Sequence, residues 1–182
     1  MAFICFGLVN PQIGTELETV KREGVDLVFA IDVSKSMLAE DIAPNRLEKA
    51  KRLASELINQ LVSDRVGIIA YASSAIPHLP ITTDYAAARM FLTSLDTNMI
   101  SSQGTAISAA SRLAETYFDD ENQTNMVVCI ISDGEDHGED ALMSAKQAAA
   151  EGITFSTVVV GTEKGSVIPI KQGNAISYKK DA

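Results

Sequence analysis

The sequence predicts an α/β fold: a doubly wound, mostly parallel sheet with one antiparallel edge strand and helices on both faces. Three observations predict it. Short apolar runs alternate with segments of helical period from residue 25 to residue 160. Residues 25–31, 66–72 and 126–131 are apolar and rich in β-branched side chains without alternation, as strands covered on both sides must be. The resulting order, β-α-β-β-α-α-β-α-β, needs helical crossovers, and crossovers join parallel strands. With 182 residues the chain is close to one domain on a prior of about 150 residues each.

Each element has its own signal. After the first strand, Leu47, Ala50, Ala54, Leu57, Ile58 and Leu61 recur at helical spacing, with Lys49, Lys51, Arg52 and Glu56 off the stripe. Asn45 followed by Glu48 reads as a capping box, so this helix is expected from Arg46 to near Val62. The strand at 66–72 follows. Pro77 and Pro80 then confine residues 76–81 to a sheet edge, because neither can donate to a central ladder. Asp84 can cap a helix through Leu95, and Thr105 can open another with Ile107, Ala110, Leu113, Ala114 and Tyr117 on one face. Residues 126–131 are strand, 141–151 helix stopped by Gly152, and 153–160 strand. Two short pieces, 167–170 and 175–178, flank Lys171-Gln172-Gly173-Asn174 and read as a hairpin.

Composition excludes several functions. Lys+Arg 15 against Asp+Glu 24 gives a net charge of −9, the wrong sign for a surface that neutralises phosphates, so nucleic acid is not an expected partner. Cys5 and Cys129 make no disulfide framework, and Cys129 lies in an apolar strand, where a buried inert thiol is expected. No stretch reaches the roughly 20 apolar residues of a membrane span. Residues 1–9 are nonetheless almost wholly apolar before Asn10-Pro11, and read either as a short strand or as the clipped end of a longer apolar helix.

Open α/β sheets bind ligands beyond the carboxyl ends of their strands, where neighbouring connections part to opposite faces. The first strand ends in Asp32-Val33-Ser34-Lys35-Ser36, the strand at 126 ends in Ser132-Asp133-Gly134, and Gly104-Thr105 leads into a helix between them. If those two strands are neighbours, Asp32, Ser34, Ser36, Thr105 and Asp133 converge, and each offers an oxygen. Such donors suit a hard divalent cation such as Mg²⁺, and without His or Cys nearby they disfavour Zn²⁺. Two carboxylates leave the ion able to attract an external acidic group. The acidic segment 135–140 reads as a solvated loop, and His78 and His137 as surface histidines.

The spacing Asp-x-Ser-x-Ser, the Gly-Thr and the strand-end Asp-Gly resemble the metal-ion-dependent adhesion site of von Willebrand factor type A domains, over roughly residues 24–170. Within that superfamily, residues 37–47, 79–85 and 103–107 are similar to the bacterial aerotolerance-related Bat membrane proteins. The resemblance implies hydroxyl ligation by Ser34, Ser36 and Thr105, with Asp32 and Asp133 binding directly or through water. It implies Mg²⁺, with Mn²⁺ or Ca²⁺ as substitutes. It further implies a non-enzymatic binding module for a protein ligand presenting Asp or Glu, working with other Bat-family proteins in a cell-envelope complex linked to aerotolerance or stress. By the same resemblance, residues 1–14 are the end of a membrane helix plus linker. Residues 15–182 are then a C-terminally truncated domain anchored at the bacterial inner membrane and facing the periplasm.

An enzyme reading competes, since an aspartate ending a first strand beside Mg²⁺ also describes phosphoryl transfer of the haloacid dehalogenase type. That chemistry needs a second Asp two residues on, where this chain has Ser34. A metal-free scaffold is the remaining alternative.

Overall fold

The computed structural model describes residues 24–102, 104–118, 125–134, 141–162, 167–172 and 175–180. The expectations for residues 1–14, for the acidic segment 135–140 with His137, and for the turn at Gly173-Asn174 lie outside the described residues.

The main sheet has the order β3-β2-β1-β4-β5, formed by β1 (Val25–Asp32), β2 (Arg65–Tyr71), β3 (Ala75–Thr82), β4 (Asn125–Ser132) and β5 (Ile153–Val159). All pairings are parallel except β2 with β3, so the proline-bearing strand is the antiparallel edge that the sequence predicts. A separate antiparallel hairpin joins β6 (Val167–Gln172) to β7 (Ala175–Lys180).

Side chains of successive strand residues point to opposite faces, and β1 divides the core accordingly. Phe29 and Ile31 pack in one cluster with Leu47, Ala50, Ala54 and Ile58 of α1 (Arg46–Ile58) and Ala88 and Leu92 of α2 (Tyr85–Ser94). Val28 and Ala30 pack in the other with Ala110 and Ala114 of α3 (Ile107–Glu115) and Ala148 of α4 (Ala141–Ala150). Cys129 is a buried free thiol, its pKa raised by burial.

The caps follow the sequence in part. Asn45 accepts from the Glu48 N–H at 2.8 Å and Asp84 from the Ala87 N–H at 2.9 Å. The Glu48 carboxylate takes the Lys51 ammonium at 2.7 Å. Three local expectations are corrected. α1 ends at Ile58, not near Val62: the Gln60 and Leu61 N–H groups reach back only three residues, which tightens the chain into a turn. Thr105 caps nothing, because α3 begins at Ile107 with Ala106 as its N-cap and no side-chain cap bond. His78 is half-buried, its Nε2 lying 2.8 Å from the Phe91 carbonyl oxygen and 3.0 Å from Ser94 Oγ, so it ties β3 to α2.

Gly67 lies in the middle of β2, where a Cβ would stand 2.8 Å from Tyr117 Cδ1. The Tyr117 hydroxyl donates to the Ile68 carbonyl at 3.1 Å, so the ring cannot swing aside without losing that bond. Gly67→Ala is expected to destabilise the fold by about 1–3 kcal/mol through overpacking. Urea unfolding checks this, and an unchanged midpoint would show that the ring gives way freely.

Candidate functional site

β1 is flanked by β2 on one side and β4 on the other, so the connections leaving β1 and β4 part at their carboxyl ends. The register pairs Ile31 with Ile131, which sets Asp32 level with Ser132. Asp32 is fully buried. One carboxylate oxygen accepts from the Ser34 N–H at 2.8 Å, and the other from the Ser132 hydroxyl at 2.9 Å. Among the described residues no cationic side chain is paired with it. Burial pushes its pKa up to about 6, the bonds from Ser34 and Ser132 offset part of that rise, and the nearby Asp133 charge adds to it.

Ser34 and Ser36 flank the start of a short 3-10 turn, Lys35–Leu38. Both are nearly buried, with hydroxyl oxygens 2.9 Å apart. The turn is closed by the Met37 N–H on the Ser34 carbonyl and the Ala39 N–H on the Ser36 carbonyl. Thr105 is buried in the loop before α3. That loop is fastened to the sheet by the Ala106 N–H donating to the Ala72 carbonyl at 2.7 Å, while the Val33 N–H donates to the Tyr71 carbonyl at 2.8 Å. Gly104 (φ +118°) and Gly134 (φ +92°) hold the left-handed turns before Thr105 and after Asp133, a conformation that side-chain-bearing residues avoid.

The structure thus brings Asp32, Ser34 and Ser36 into one bonded chain, sets Asp133 near enough to act on Asp32 electrostatically, and anchors the Thr105 loop at the adjacent strand end. Asp133 is itself engaged: Arg46 Nη1 donates to its Oδ2 at 3.0 Å, with both side chains almost fully buried. The same guanidinium donates through Nε to Asp41 Oδ1 at 2.9 Å and through Nη2 to Oδ2 at 3.2 Å. Asp41 also accepts from the Thr162 N–H at 2.7 Å and hydroxyl at 3.0 Å. Sequence reasoning missed this bridge, and it missed Ser132 as a partner of Asp32. Ser132 could have been found from strand register. The Arg46 bridge joins residues 87 positions apart and has no local signature.

The donor set has the chemistry that a hard cation would need. It offers carboxylates and hydroxyls only, and among the described residues no three His, Cys, Asp or Glu side chains form a metal-binding group. A buried carboxylate held only by neutral donors gains from a cation, which offsets its lost hydration.

Asp41 gives a pH prediction. Burial raises its pKa, but the bonds from Arg46 and Thr162 outweigh this and hold it below its ordinary value of 3.8. A depressed folded value stabilises the fold at pH above the unfolded value, and that stability is lost as pH falls through the folded one. Below about pH 3.8 the protein should therefore lose thermal stability, and Asp41→Asn should lose less. Equal losses in the two melting series would remove Asp41 as the cause.

A mostly parallel, doubly wound sheet with one antiparallel edge strand defines the class of open α/β domains, whose ligand crevice, where they have one, lies at this switch point. Residues 27–135 match the family model described as a von Willebrand factor type A domain, and the chain belongs to that family. Among solved structures it is similar to BatB from Bacteroides thetaiotaomicron, a conserved hypothetical protein. The two are 44% identical, with a TM-score of 0.82, over 87% of this chain and 76% of that one. It is also similar to an aerotolerance-related membrane protein from Bacteroides fragilis NCTC 9343, at 40% identity and a TM-score of 0.80 over 86% of this chain and 82% of that one. A UPF0353 protein of Nocardia farcinica is 27% identical over 98% of this chain and 57% of its own length. The chain spans about half the length of the curated relatives it matches. Among the described residues no helix is long and apolar enough to cross a membrane.

Proposed function

We propose that this domain is a cation-dependent protein-binding module, not an enzyme. In this reading Asp32, Ser34, Ser36, Thr105 and Asp133 hold Mg²⁺, directly or through water, and an Asp or Glu of a partner protein completes its coordination. Mn²⁺ or Ca²⁺ can substitute. The ion supplies positive charge and an exchangeable ligand position, and the chain's residues orient it. The observation that carries the reading is Asp32: a fully buried carboxylate with neutral donors, at the switch point of the sheet, beside two adjacent hydroxyls and a second carboxylate.

The likeness to an aerotolerance-related membrane protein of B. fragilis supports a membrane-anchored setting. We place the domain on the periplasmic face of a bacterial inner membrane, assembling with other Bat-type proteins in a complex linked to aerotolerance or stress. Phosphoryl transfer would lack its proton shuttle, because the position a proton-shuttling acid would need is Ser34, whose hydroxyl pairs with Ser36.

The test is capture of partners from a bacterial envelope extract with Mg²⁺, repeated with a chelator and with Asp32→Ala. A captured partner that is lost under both conditions supports the module. Capture indifferent to both would leave a metal-free scaffold in its place.

A further inference from the structure

We propose that Arg46 is a built-in counter-cation for Asp133, a positioning residue that sets how strongly the site holds its ion. This rests on the metal-binding reading above. Arg46 opens α1 and is only 4% exposed. Its two-pronged pair with Asp41 and its Nη1 bond to Asp133 Oδ2 use three of its nitrogens in one fixed plane. Thr162 holds Asp41 in place from the segment after β5. The chain at Gly161 lies against the guanidinium, since a Cβ there would stand 3.4 Å from Nε. The cation therefore cannot drift from Asp133 without breaking its pair with Asp41.

That rigidity has an electrostatic result. A carboxylate shared with a guanidinium attracts a metal ion less than a free one, and the buried guanidinium repels the ion directly with little screening. Arg46 thus weakens metal binding and leaves more of the ion's charge for an external acidic ligand. A residue that served only to brace the fold would act in the opposite direction, because its loss would disorder Asp133 and lower the affinity.

The experiment is calorimetric titration of the chelator-stripped protein with MgCl₂, with folding checked by circular dichroism. Arg46→Met is expected to bind Mg²⁺ more tightly, on the order of ten-fold, because one short-range buried charge is gone. Arg46→Lys keeps the charge and should stay within about three-fold of the parent. Asp41→Asn keeps an amide oxygen to accept from Arg46 Nε, so the guanidinium stays in place with more of its charge left for Asp133, and the variant should bind Mg²⁺ more weakly. A folded Arg46→Met that binds no more tightly than the parent overturns the proposal. Should that variant fail to fold, an Asp41→Asn affinity equal to or above the parent's overturns it instead. If the parent takes up no Mg²⁺, or Asp32→Ala binds as well as the parent, the metal-site reading fails and this proposal falls with it. Loss of binding in Asp32→Ala beside unchanged affinities in Arg46→Met and Asp41→Asn sinks the Arg46 proposal alone.

Discussion

Replacing Asp32 with Asn is expected to remove Mg²⁺ binding and, at the same time, to make the metal-free protein more stable at neutral pH. The two effects share one cause. Burial raises the Asp32 pKa from 3.8 to about 6, so holding the carboxylate ionised in the fold at pH 7 costs about 3 kcal/mol. Asn has the same shape, keeps an oxygen for the Ser34 N–H and turns its amide toward Ser132, whose hydroxyl can accept. It carries no charge to desolvate and none to offer a cation. Loss of an outer partner alone typically weakens metal sites by about 10–100-fold, so losing a central ligand should cost more than about 100-fold.

The pH dependence has a definite sign. An acid with a raised folded pKa favours the folded state once protonated, so the chelated protein should gain stability as pH falls from about 6 toward 3.8. Asp32→Asn should show no gain in that window. Melting curves in chelator at pH 7 and pH 5, beside a Mg²⁺ titration, measure both effects. A variant less stable than the parent at pH 7 would mean that the carboxylate is not strained by burial.

The second large effect lies at the other end of β1. Asp26 is buried, and Arg65 of β2 donates to it through Nε at 2.7 Å and through Nη2. The two residues are register partners on neighbouring strands. Asp26→Ala takes both carboxylate oxygens away from a largely buried guanidinium and should destabilise the fold by about 3–5 kcal/mol. Replacing both, as Asp26→Leu with Arg65→Met, removes both charges together and should recover most of that loss, because apolar substitutes for buried ion pairs are often neutral or better. Urea unfolding of the single and double variants decides it. A loss below about 1 kcal/mol in Asp26→Ala would put this pair with the weak surface ones.

Much of this was legible in the residues because the signals are short-range. The strands show as apolar runs, the helix stripes of α1 and α3 fall on the residues that face the two halves of the core, and two prolines mark the edge strand. Asp32, Ser34 and Ser36 could be grouped because three neighbouring positions meet in one tight turn. Other features depend on partners far away in the chain. Thr105 reads as a helix cap because a threonine beside a helical stripe carries the same local signal whether it caps or sits in the loop before the helix, which Ala106 ties to Ala72 just past β2. The α1 stop failed because Leu61 continues the apolar period while the backbone has already turned. The partners of Arg46, at 41 and 133, are chosen by how α1 seats on the sheet, which no spacing rule encodes.

The level pairing of Asp32 with Ser132 also bears on how this chain can change over time. Neighbouring residues at the end of β4 serve different partners, Ser132 toward Asp32 and Asp133 toward Arg46. A one-residue deletion or insertion anywhere in β1 or β4 would exchange those roles while the apolar runs stayed nearly as long as before. The same shift would also exchange Phe29 and Ile31 with Val28 and Ala30 between the two halves of the core, so the packing and the Asp32 cluster would be lost together. The two strands therefore act as a reading frame for the site, open to many replacements and closed to shifts in length.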